Sequence, residues 1–145
     1  MNIRPSTPQI LRDLAEELNR EIMPLLSDST DQIRLHMIAA VLGQCAVRSG
    51  TEIALMKAET DAYVDYARAV AAATGDAAVE RAIEAVKPST DLHLEAVITE
   101  YTQASEAFGA ALDGGHAALA ARGEALLQDR IANEQLMAGV ATAGR

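Results

Sequence analysis

The sequence predicts an all-α protein, a helical bundle of five to six helices. Three observations carry that reading. Alanine, the strongest helix former, supplies thirty of the 145 residues, whereas the aromatics are three Tyr and one Phe with no Trp. β-branched residues are sparse and scattered, and no segment reads as a strand. One apolar stripe runs through Ile38, Leu42, Cys45, Ser49, Ile53, Met56, Thr60, Tyr63, Ala67 and Val70, mostly in alternating steps of three and four, the spacing of one helix face.

The first helix is expected to start near Pro8. Either Thr7 caps it with Pro8 in the first turn, or Ser6 and Gln9 form a capping box. Ile10, Leu11, Leu14, Leu18, Ile22 and Leu25 or Leu26 form its buried face, and Pro24 kinks or ends it. The polar run 27–31 is a loop. Ser29 and Gln32 have capping-box spacing for the second helix, with Asp31 in its favourable first turn. That helix spans about 30–74 if the stripe is continuous. Ser49 and Glu52 also have capping-box spacing, so the alternative is a break there; a continuous helix kinked near Ser49-Gly50 is the reading preferred. Gly75 is its natural left-handed cap. A short helix follows from about Ala77 to Val86, capped by Asp76 and stopped by Pro88. Ser89 or Thr90 then caps a helix from about Asp91 to Leu112 that buries Leu94, Val97, Ile98, Tyr101, Ala104, Phe108 and Leu112. Asp113-Gly114-Gly115 stops it. The last helix runs from about Ala117 to Met137, burying Leu119, Leu126, Leu127, Ile131 and Met137, with a frayed tail over 139–145. The length fits a single helical domain over 1–145.

Charge limits the classes of function. The formal net charge is −9, and the excess is concentrated: residues 1–50 carry five Lys/Arg against six Asp/Glu, residues 51–112 four against eleven. A chain with this balance and no basic stripe is a poor match to a phosphate backbone, so no nucleic-acid partner is expected. Its simplest meaning is a solvated acidic surface. No run approaches the roughly twenty apolar residues of a transmembrane helix, and no apolar signal segment opens the chain, so a cytoplasmic protein without a membrane partner is expected. The single cysteine, Cys45, excludes an internal disulfide and is expected to act as a small buried hydrophobe.

No catalytic constellation emerges. A di-iron bundle needs Glu-x-x-His pairs, and none of His36, His93 or His116 has one; HExxH, Cys-x-x-Cys and a phosphate loop are also missing. No cofactor or metal is therefore expected. His36, beside Arg34 near the start of the long helix, is the most interesting single residue: either a partly buried, hydrogen-bonded histidine or a ligand or partner contact with Arg34 supplying charge. Tyr63 and Tyr66 are read either as plain packing or as interface tyrosines, which offer area and a polar tip together. Of the two halves of the stripe, Ile38–Cys45 is expected to serve the domain's own core and Met56–Val70 to meet a partner.

Three segments carry a resemblance. Arg4-Pro5-Ser6 with Ile10-Leu11 and Ile22-Met23-Pro24, then Leu35-His36 running into 38–43, and finally Ile131-Ala132-Asn133, resemble a family of small uncharacterised bacterial helical domains. Such domains are found beside or fused to aminoglycoside-phosphotransferase-like kinases and acyl-CoA dehydrogenases. The resemblance covers about half the chain, and this chain departs from it in a longer middle and in lacking a Pro after Asn133. It implies an accessory role near such enzymes and supplies no catalytic residues. The function expected is a non-enzymatic helical interaction or accessory module, a homodimer, with a kinase-like phosphotransferase or acyl-CoA dehydrogenase as partner. The alternatives are a small-molecule or acyl-binding bundle and, further off, a ferritin-like metal-dependent enzyme.

Overall fold

The computed structural model describes residues 5–138 and is all-α, with no strand among them. Its helices are α1 (Thr7–Glu17), α2 (Ser29–Thr74), α3 (Ala77–Ala85), α4 (Leu94–Asp113) and α5 (Ala120–Met137). No helix among the described residues is long and apolar enough to cross a membrane. The expected frayed tail over 139–145 lies outside the described residues. The backbone groups into two compact units, one up to Glu52 together with Glu134 onward, the other Ile53–Asn133.

In the first unit, α1 begins at Ser6–Thr7 as expected, but neither cap side chain is used: Ser6 is the N-cap by position only. Pro24 has a sharper effect than a kink. It has no N–H to give to the Arg20 carbonyl, and its ring crowds that carbonyl. The chain widens into a π turn over Leu18–Ile22, closed by the Met23 N–H on the Leu18 carbonyl, and leaves through a 3-10 turn at Met23–Leu25. The cap of α2 lies one residue earlier than expected. Asp28 Oδ1 accepts the backbone N–H groups of Thr30 (2.8 Å) and Asp31 (3.1 Å), while Gln32 reaches back to the Leu26 carbonyl instead of closing a box. Pro8, at the start of α1, would contact a side chain at Gly50, and Met23, beyond its end, shares a groove with Ile33 and Met37. α1 and the first half of α2 therefore run antiparallel.

Helix α2 passes through Ser49-Gly50 without interruption. The side chains that might have started a new helix are turned inward on the old one. Ser49 Oγ donates to the Ala46 carbonyl, Thr51 Oγ1 to the Val47 carbonyl, and Glu52 pairs with Arg48 one turn back.

The second unit holds the aromatic core. Tyr63, Val64, Tyr66, Ala67, Val70 and Ala71 of α2 pack with Val79 of α3 and with Ala104, Ala107, Phe108 and Ala111 of α4. All four aromatic rings of the chain meet here. Tyr63 stacks on Phe108 at 4.4 Å, Tyr66 meets Phe108 edge-on at 5.3 Å, and Tyr101 lies 6.1 Å from Tyr63. Alanine fills the remaining seams, which lets helix backbones approach closely. Gly123 does this for α5, because a Cβ there would lie 2.7 Å from Tyr66 Oη. Leu119 and Leu126 complete the core, whereas Leu127 and Ile131 are exposed, as are Leu94 and Ile98 on α4.

Local signals in this unit read as expected at Gly75, which has φ +66, and at Asp76, whose carboxylate accepts the Ala78 N–H at 2.7 Å. They differ before α4. There Ser89 Oγ accepts from Asp91 N, and Asp91 Oδ1 accepts from His93 N. These two side-chain turns hold 89–93 in an irregular path, so the helix starts at Leu94 rather than near Asp91.

Candidate functional site

Burial along the α2 stripe departs from expectation in both halves. Thr60, Tyr63, Ala67 and Val70 are buried, so the second half is core. In the first half the buried residues are Ala39 and Ala46, each one position on from the expected Ile38 and Cys45, which are exposed. Between Arg34 and Arg48 no residue is charged. Every phase of the helix passes through apolar side chains there, so periodicity alone does not select a buried face.

Tyr63 and Tyr66 are accordingly core residues, 1 % and 2 % exposed. His36 is exposed rather than partly buried, on a shallow groove with Met23, Gln32, Ile33 and Met37. Arg34 is exposed and its guanidinium pairs with Asp31 at 3.0 Å. The histidine–arginine pair and the tyrosine pair lie in different units.

What the sequence reading missed is a polar cluster in the second unit. Glu59 of α2 accepts from Tyr101 of α4 (2.7 Å) and from Tyr63 (3.5 Å) through Oε2, and from Asn133 of α5 (2.6 Å) through Oε1. Two residues earlier, and so on the opposite side of α2, Lys57 Nζ donates to Glu100 Oε2 at 2.7 Å and to the Ser89 carbonyl at 3.0 Å. The Glu100 side chain is 6 % exposed. Both glutamates stand on apolar helix faces, and that was the available signal: Glu100 lies three residues from Val97 and four from Ala104, both fully buried.

The electrostatics mark this cluster as a fastening. Burial pushes the Tyr63 hydroxyl well above the usual tyrosine range, and the Glu59 charge pushes it further. Burial likewise raises Tyr101, followed by its hydrogen bond to Glu59. Arg130 opposes both shifts. Both hydroxyls therefore stay protonated and serve as donors to a carboxylate that joins α2, α4 and α5. Neither is poised as a base at neutral pH. Among the described residues no three or more His, Cys, Asp or Glu gather where a metal ion would sit.

The first unit presents a different surface. Ile33, Met37, Ile38 and Val41 are 61 %, 63 %, 53 % and 54 % exposed along one side of α2. No family model, curated protein or solved structure matches the chain.

Proposed function

We propose that the protein is a non-enzymatic helical interaction module that assembles through its first unit, with the second unit as a self-sufficient core. The observation that carries this reading is the charge-free helix over 35–47, which buries Ala39 and Ala46 and leaves Met37, Ile38 and Val41 open. A helix apolar on all sides is stable when it is covered on all sides. An exposed strip of this kind marks a protein contact. The polar cluster supports the same reading, because its hydrogen bonds are spent joining helices and it offers no activated nucleophile. The likeness of the N-terminal segments to helical domains found beside phosphotransferase-like kinases and acyl-CoA dehydrogenases supplies the first heteromeric partners to test.

A photoreactive phenylalanine in place of Met37, irradiated in the producing cell, tests this. Discrete crosslinked adducts are expected. If Met37 gives no adduct while the same residue at buried Phe108 gives only intramolecular products, the surface is not an interface and the reading fails.

A second reading, a ligand-binding bundle, is favoured by one observation. A groove of about 360 Å³ in the second unit is lined by Val64, Ile83, Val86, Glu100 and Thr60, whose buried hydroxyl has no hydrogen-bond partner. Native mass spectrometry of purified protein tests it: a stoichiometric small-molecule adduct supports ligand binding, and bare chain mass counts against it.

A further inference from the structure

Resting on the interaction-module reading, we propose that the occupant of the α2 face centred on Met37 and Val41 is a second copy of this chain. Ala39 is 3 % exposed and marks the buried side of the helix. Val41 is two residues on, about 200° around the helix, so it points to the opposite side. Ile33, Met37 and Val41 follow at steps of four, and Ile38 widens the strip.

Four observations select a second copy. The first is area. Ile33, Met37, Ile38 and Val41 are each more than half exposed. At roughly 100 Å² apiece they present on the order of 400 Å² per copy, the scale of a weak, concentration-dependent dimer. The second is self-complementarity, which an isologous contact requires because both copies offer the same patch. The shallow groove of about 390 Å³ between Met23, Ile33, His36 and Met37 includes two residues of the strip itself. Leu25, 77 % exposed on the same unit, is an apolar side chain that a two-fold contact can lay on that groove. The third is charge. Copies of a chain with net charge −9 repel, least so where the surface is near neutral. Residues 1–50 carry five basic against six acidic side chains, and residues 51–112 four against eleven. The fourth is the absence of charge around Met37, Ile38 and Val41, between Arg34 and Arg48, which keeps like charges out of the centre of a two-fold contact.

Sedimentation velocity on the full chain tests the proposal, using wild type, the double variant Met37→Glu/Val41→Glu and the conservative control Met37→Leu. All the replaced side chains are exposed, so the chain's own packing is untouched, which circular dichroism and urea unfolding check. Wild type and control are expected at twice the 15.3 kDa chain mass at tens of micromolar. The double variant is expected at 15.3 kDa, its dimer dissociation constant raised about tenfold or more. A wild type that stays at single-chain mass, or a double variant that stays dimeric, overturns the proposal. If the double variant does not fold, the dilution series of wild type alone decides. A single-chain wild type that still crosslinks from Met37 to a different protein removes the second copy and leaves the interaction module standing. A single-chain wild type without adducts removes both.

Discussion

Replacing Gly123 by alanine probes how closely α5 is seated on the aromatic core. The new Cβ would stand 2.7 Å from Tyr66 Oη, 2.8 Å from a Leu112 methyl and 3.0 Å from Tyr66 Cζ. Ordinary carbon contacts lie near 3.5–4.0 Å, so about 0.7 Å or more must be found. Tyr66 has little freedom to supply it, because it is 2 % exposed and set edge-on against Phe108. Overpacking of this kind costs about 1–3 kcal/mol. The helix-propensity gain of alanine over glycine returns about 1 kcal/mol. The net effect is a loss of about 1 kcal/mol, or roughly 3–4 °C in Tm for a chain of this length. Gly109→Ala in α4 is the matched control, since a Cβ there meets nothing within 4 Å. It makes the same chemical change and is expected to stabilise by about 0.5–1 kcal/mol. Urea unfolding followed at the helical circular-dichroism band gives both values. If Gly123→Ala stabilises as much as Gly109→Ala, α5 is not seated on Tyr66 as described.

The polar fastenings yield three further expectations. Lys57→Met leaves the buried Glu100 carboxylate without its cation and is expected to cost about 3 kcal/mol in urea unfolding; Lys57→Met with Glu100→Leu recovers much of that loss, and a double variant no more stable than the single would refute the pairing. Tyr101→Phe removes a hydrogen bond to the Glu59 carboxylate and is expected to cost about 1.5–2 kcal/mol, and less than that in a Glu59→Gln background, where the shared bond is already weakened. Tyr63 and Tyr101 both titrate above their unfolded value, so between about pH 10 and their folded values the native state holds protons that the unfolded state has lost. Their contribution is complete below about pH 10 and disappears as pH rises through the folded values. Wild type is therefore expected to lose stability steeply on the alkaline side, and Tyr63→Phe/Tyr101→Phe to show a shallower alkaline slope.

The parts of the fold that were legible in the sequence are those set by local chemistry. Gly75 and Asp76 sit where their backbone and capping preferences place them, and α3 follows from them. Ser49 and Glu52 show the limit of that approach: the spacing of a capping box was present, yet packing kept the helix continuous and turned both side chains back onto it. Ser29 and Asp28 differ by one residue for a related reason, since adjacent side chains of similar capping strength compete for the same N–H groups. The candidate site was less legible. The Glu59–Tyr101, Glu59–Asn133 and Lys57–Glu100 bonds join residues 42, 74 and 43 positions apart, and no local pattern records such pairings. Tyr63 and Tyr66 are read from the sequence either as packing or as interface residues, because the tyrosine tip that suits an interface also suits a buried carboxylate partner, and here Glu59 supplies one to Tyr63. In the first half of α2 the apolar run is so complete that its outward side could be recognised only once Ala39 and Ala46 were placed against their neighbours.

Cys45 provides the most direct test of whether the α2 face is covered. It is the single cysteine, it is exposed, and it lies one turn beyond Val41 on the same side of the helix. Its rate of reaction with a bulky maleimide is to be measured on the unmodified chain from high nanomolar to tens of micromolar concentration. The expected result is a labelling rate that falls about tenfold or more as concentration rises and that stays high throughout in Met37→Glu/Val41→Glu. A rate independent of chain concentration and equal in the two proteins would contradict the assembly of this chain through its first unit.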